Sequence, residues 1–163
     1  MTAHDDSPII EVQDLVKVYA GDTRAVDGIS FGVAAGELFG FLGPNGAGKT
    51  TTMRILATLL QPTWGEAAVG GYSIYTHPKE IRRLIGYMPD FFGVYDDMTV
   101  IEFLRFIAEV RGFAGAAREE PVARVLEQMD LGAVRHQRIE TLSKGFKRRV
   151  GLAQAILHDP QVL

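Results

Sequence analysis

The chain has 163 residues, 47% hydrophobic and 23% charged, which is enough apolar material for a core and allows one globular domain or a piece of a larger one, with too little length for two. Seventeen Lys and Arg against 20 Asp and Glu give a net charge of -3, so no global positive field points to nucleic acid. The absence of cysteine excludes a disulfide framework, a thiolate metal site and a cysteine nucleophile, and it fits a reducing compartment. The longest stretch free of Asp, Glu, Lys and Arg, residues 67–78, contains Gly70, Gly71 and Pro78 and falls well short of the ~18–20 apolar residues of a membrane helix.

Residues 1–8 carry His4, Asp5 and Asp6 with no apolar run behind a positive charge, so they read as a frayed leader rather than a secretory signal. Residues 9–19 are rich in β-branched and aliphatic side chains and end at Gly21-Asp22, which predicts a strand followed by a turn. A second strand is predicted over residues 25–33, broken at Asp27-Gly28. The continuous apolar run Leu38-Phe39-Gly40-Phe41-Leu42 has the pattern of a strand buried on both faces of a sheet. Met53, Leu56, Leu59 and Leu60 recur at helical spacing over residues 50–60, and Pro62 closes that segment. Two short extended pieces flank Gly70-Gly71, Pro78 opens a short helix, and residues 84–88 return as a strand. Beyond Asp97 the pattern becomes helical. One face carries Val100, Ile101, Leu104, Ile107 and Val110; a second Val122, Val125, Leu126 and Met129; a third Val150, Leu152, Ala155 and Ile156. None of His4, His77, His136 and His158 belongs to a metal-ligand constellation, so exposed or capping roles are expected for them.

The run Gly43-Pro44-Asn45-Gly46-Ala47-Gly48-Lys49-Thr50 matches GxxxxGK[ST] between a predicted buried strand and an amphipathic helix. Successive backbone N–H groups wrap a phosphate only where the chain turns through conformations that glycine permits, which explains Gly46 and Gly48. A helix starting near Lys49 would direct its positive end at the same anion. Lys49 would add a mobile charge and Thr50 a hydroxyl for magnesium. The pattern implies nucleotide-phosphate binding and does not separate kinases, GTPases, helicases and transporters.

Three segments narrow the choice: GPNGAGKTT (43–51), IGYMPD (85–90) and LSKGFKRR (142–149). Their order and spacing resemble those of the ATP-binding cassette (ABC) transporter ATPase domain, over residues 9–163. The resemblance implies an α/β fold: an incomplete P-loop NTPase core and an antiparallel β subdomain over residues 9–95, followed by an α-helical subdomain over 96–158. It implies ATP and Mg2+ as cofactors, with Tyr19 stacking on adenine and Gly43, Pro44, Asn45, Gly46, Ala47, Gly48, Lys49, Thr50 and Thr51 holding the nucleotide. Thr50 and Asp90 would serve the metal, Asp90 standing where the family has glutamine. Ser143 and Gly145, in a segment similar to the LSGGQ signature, would touch ATP bound to a second ATP-binding subunit across a head-to-tail dimer. Within that signature Lys144 replaces the first glycine and Phe146 the glutamine. Residues 91–95 fall where the family docks its transmembrane permease and read equally as a hydrophobic contact between the two lobes, and the basic residues Lys144, Lys147, Arg148 and Arg149 read as a solvated helix face. The implied protein is the ATPase of an exporter-type transporter, cytoplasmic and peripheral on the membrane through the permease. A non-transporter ABC ATPase and a non-catalytic nucleotide-binding module stay open as alternatives.

The last six residues, His158-Asp159-Pro160-Gln161-Val162-Leu163, resemble the lead into the family's Walker B strand. That strand ends in the carboxylates that hold the magnesium water shell and polarise the attacking water, and a switch histidine follows. No catalytic residue is therefore assigned within residues 1–163, and the resemblance implies that this stretch alone binds ATP without hydrolysing it. The strand at residues 38–42 is expected to present an unpaired edge, which favours low stability and aggregation of the isolated chain.

Overall fold

The computed structural model describes residues 8–89 and 97–163. The chain divides into two compact units, Met1–Leu84 and Ile85–Leu163.

The first unit is built on a four-stranded antiparallel sheet in the order β2-β1-β3-β4, from β1 (Ile10–Tyr19), β2 (Thr23–Val33), β3 (Trp64–Val69) and β4 (Tyr72–Ser73). Val12 sits between Phe31 on one side and Ala67 on the other; Ile10, two residues before it, pairs with Val33 and Val69, so Val12, Val33 and Val69 turn to one buried layer. The second strand is not broken at Asp27-Gly28: Gly28 takes a positive φ of 64 within a bulge of β2, whose residues between Ile29 and Val26 outnumber by one those between their partners Leu15 and Lys17 in β1. Helix α1 (Lys49–Leu56) lies against β2 and β3, and α2 (Pro78–Leu84) against β4.

Two further readings of this unit need correction. Residues 38–42 do not form a buried strand. Leu38 is 100% exposed and Leu42 96%, because a strand of this kind takes its hydrogen bonds from neighbours and no described strand pairs with it. Phe39 and Phe41 instead gather on Phe31, one stacked at 5.2 Å and the other edge-on at 5.4 Å. The helix after the glycines is also shorter than its periodicity suggests. Thr58 takes a φ of 58, which no helix continues through, and the buried face is Thr52, Ile55 and Leu56 while Met53 and Leu59 are exposed.

The second unit packs α3 (Val100–Val110), α4 (Glu119–Gln128) and α5 (Lys144–Ile156) around Phe103, Leu104, Val122, Val125, Val150, Ala153 and Leu157. Helix α3 starts with a capping box: the Glu102 N–H donates to the Thr99 hydroxyl, and the Glu102 carboxylate accepts from the Thr99 N–H at 2.9 Å. The Thr99 N–H and, at 2.7 Å, the Thr99 hydroxyl both donate to the Glu102 carboxylate and hold it below its ordinary range. Val110, expected on the apolar face, is exposed at the last turn, and Phe103 and Ala108 take the buried positions. The strand expected over residues 84–88 reduces to a single parallel bridge between Ile85 and Val162, with the Gly86 N–H donating to the Val162 carbonyl at 2.8 Å. No helix among the described residues is long and apolar enough to cross a membrane.

Candidate functional site

Residues 43–51 leave the Phe cluster as an exposed turn and enter α1. Gly43, Gly46 and Gly48 have φ values of 151, 85 and 83, all in the region where a side chain is disfavoured. Gly48 is the N-cap of α1, and it offers no side chain to the first-turn N–H groups. Those donors are left for an external acceptor, and no acidic residue occupies the first turn to compete for them. The Lys49 ammonium folds back over the loop and donates 2.7 Å hydrogen bonds to the carbonyls of Gly43 and Pro44. The loop's charged group is thereby held at the loop's own mouth.

The three consecutive threonines have different fates. Thr52 is buried and its hydroxyl bonds back to the Gly48 carbonyl at 3.0 Å. Thr51 shares a 3.5 Å hydrogen bond with the Tyr19 phenol. Among the described residues the Thr50 hydroxyl has no partner, so it is the one available to a hard cation beside the loop. The structure thus brings Tyr19, Lys49, Thr50 and Thr51 to one end of α1. Asp90 and residues 91–95 lie outside the described residues.

Ser143 and Gly145 lie in the second unit. Ser143 is the N-cap of α5 and its hydroxyl accepts from the Phe146 N–H at 3.3 Å, leaving the hydroxyl proton to donate outward. Gly145 is exposed in the first turn. Phe146, in the glutamine position of the signature, packs partly against the helical core and lies under the Arg149 guanidinium at 5.4 Å. Arg149 also pairs with Asp130 at 3.0 Å, so this basic residue is tied down while Lys144 and Arg148 are exposed.

His158 departs from the exposed or capping role expected of it. It is half-buried, its Nε2–H donates to the Ile85 carbonyl at 3.1 Å, and its Nδ1 is buried without a partner among the described residues. Burial first, then the Arg111 charge, pulls its pKa below the usual histidine value. No group of His, Asp and Glu among the described residues is arranged to hold a metal ion.

An anion-ready helix start behind a glycine-rich turn with a lysine at its mouth defines a P-loop NTPase. The ABC transporter family model matches residues 26–163, and the chain belongs to that family. The chain is 39% identical over 155 residues to a probable multidrug ABC transporter ATP-binding protein, YbhF, of Escherichia coli (strain K12), covering 95% of this chain and 27% of the relative. It is 41% identical over 154 residues to the daunorubicin/doxorubicin resistance ATP-binding protein DrrA of Streptomyces peucetius, covering 94% of this chain and 46% of that protein. The chain therefore spans between about a quarter and a half of the length of these relatives. A solved ATP-binding subunit of an ABC transporter superposes with a TM-score of 0.80 at 30% identity, over 93% of this chain and 63% of that one. The fold is that of an ABC nucleotide-binding domain.

The loop, its lysine and the threonines were legible in the sequence. Lys17, whose ammonium lies 5.4 Å from the centroid of the Tyr19 ring, was not. Lys17 stands two residues before Tyr19, and that i, i+2 spacing along a strand is the signal that places the two side chains on one face. Phe146 was legible as a departure from the signature's glutamine, while its partial packing against the helical core was not.

Proposed function

We propose that this chain is the ATP-binding part of an ABC exporter subunit, holding Mg·ATP at residues 43–51. The observation that carries the reading is the uncapped start of α1 behind three positive-φ glycines, with the Lys49 ammonium already at the loop. Lys49 exchanges its two carbonyl partners for the β- and γ-phosphates, and the first-turn N–H groups take the remaining phosphate oxygens. The unpartnered Thr50 hydroxyl fits a place on magnesium, with Asp90 as the second protein group. When bound, the ion neutralises charge between the terminal phosphates. Tyr19 offers its ring to adenine.

In the complete protein, two such domains sandwich ATP head to tail, Ser143 and Gly145 serving the nucleotide held by the partner. Hydrolysis then powers a membrane permease docked on the cytoplasmic side. Export is favoured by the names of two relatives, multidrug transporter for YbhF and daunorubicin/doxorubicin resistance for DrrA. The test is calorimetric titration of the 163-residue chain with Mg·ATP. Saturable binding lost in Lys49→Ala is the expected result, and equal heats from both proteins would overturn the reading.

A further inference from the structure

Lys17 and Tyr19 are neighbours on one face of β1, where side chains at i and i+2 point the same way. The Lys17 ammonium lies over the Tyr19 ring, 5.4 Å from its centroid, and donates a 2.8 Å hydrogen bond to the Gln61 carbonyl. That acceptor is fixed rather than incidental. Pro62 restricts the backbone of Gln61 before it. Thr63 then stitches the segment to β1: its N–H donates to the Val16 carbonyl at 2.8 Å, its hydroxyl oxygen accepts from the Val18 N–H at 2.9 Å, and its hydroxyl faces the Val18 carbonyl at 3.4 Å. At the ring's edge, the phenol oxygen is 3.5 Å from the Thr51 hydroxyl on α1. Tyr19 is therefore held at its hydroxyl by the phosphate-loop helix and on one face by a tethered cation, while the ring as a whole stays 39% exposed.

We propose that Lys17 is a positioning residue for the adenine site, covering one face of Tyr19 so that the base stacks on the other. The proposal rests on the reading of Tyr19 as the adenine platform. A phenol ring on a strand end turns about its Cα–Cβ and Cβ–Cγ bonds when free, and binding a base then costs the entropy of stopping it. With the ammonium anchored on Gln61 and the hydroxyl on Thr51, that ordering is done before the nucleotide arrives. The cation also withdraws electron density from the ring, which lowers repulsion between it and the π-face of a stacked purine. Lys17 touches the ring and not the phosphates, so its effect is confined to ligands that carry a base.

The experiment is a titration of the 163-residue chain with Mg·ATP and, separately, with magnesium tripolyphosphate, which has the phosphates and no base. Lys17→Met is expected to weaken ATP binding roughly two- to fivefold, the size of an exposed cation–π contact. Tripolyphosphate affinity should stay unchanged, which also shows that the variant is folded, and Lys17→Arg should restore ATP binding. In a Tyr19→Ala background, itself expected to lose roughly tenfold or more in ATP affinity, Lys17→Met should have no further effect. The proposal is overturned if Lys17→Met weakens both ligands alike, weakens ATP equally with and without Tyr19, or leaves ATP affinity intact. The reading of Tyr19 fails separately if Tyr19→Ala binds ATP as tightly as the parent.

Discussion

Gly46 and Gly48 have nearly the same backbone, with φ values of 85 and 83, and differ in what surrounds them. A Cβ at Gly46 meets nothing within 4 Å. A Cβ at Gly48 presses into the backbone carbonyl of Ala25 and comes to 3.2 Å from Val26 Cγ2, both on β2. Alanine at either position pays for a left-handed conformation, about 1–2 kcal/mol. Gly48→Ala adds overpacking against a strand that cannot rotate aside, typically another ~1–3 kcal/mol. For a chain of this size each kcal/mol lowers Tm by roughly 2–4 °C, so Gly46→Ala should cost roughly 2–8 °C and Gly48→Ala about twice that. Thermal unfolding followed by circular dichroism reads both. Gly48→Ala should also abolish ATP binding, because relief of the clash moves the start of α1 away from β2. Equal Tm losses in the two variants, or a larger one at Gly46, would refute the argument that close approach to β2 is what demands glycine at position 48.

Three further outcomes follow from the second unit. Thr99→Ala removes the capping box of α3 and should cost about 1 kcal/mol of stability by urea denaturation. The Glu102 carboxyl is held low by that box, so its contribution is present above its ordinary pKa and lost as pH falls through its depressed folded value; Thr99→Ala should reduce the steepness of acid unfolding below about pH 4.5. His158 has the opposite charge logic: its folded pKa lies below the unfolded one, so the unfolded chain takes the proton first and stability falls as pH drops below about 6.5. His158→Gln should flatten the Tm profile between about pH 7 and 5.5, and a profile of unchanged slope would contradict the burial argument. Phe103→Ala, emptying the centre of the helical core, should cost ~3–5 kcal/mol by the same denaturation assay.

What could be read from the sequence was what depends on local chemistry. The glycine pattern at residues 43–51 requires unusual φ values wherever it occurs, and the helices of the second unit carry their own apolar period, so both emerged close to where the structure has them. The errors came where the answer depends on distant partners. Leu38-Phe39-Gly40-Phe41-Leu42 has the composition of an interior strand, yet strand formation needs hydrogen-bonded neighbours that composition does not report. Residues 84–88 failed for the same reason. His158 was misplaced because nothing near it in sequence reveals the Ile85 carbonyl, and Gln61 became relevant to Lys17 only through the stitching at Thr63.

The most direct test of phosphate binding at residues 43–51 is amide hydrogen exchange of the 163-residue chain with and without Mg·ATP. The first-turn N–H groups of α1 lack intrahelical acceptors and should exchange fast in the free protein. The account predicts that Mg·ATP slows exchange at residues 46–51, and that Lys49→Ala abolishes this protection. Exchange at those amides unchanged by saturating Mg·ATP, or slowed only elsewhere in the chain, would contradict it.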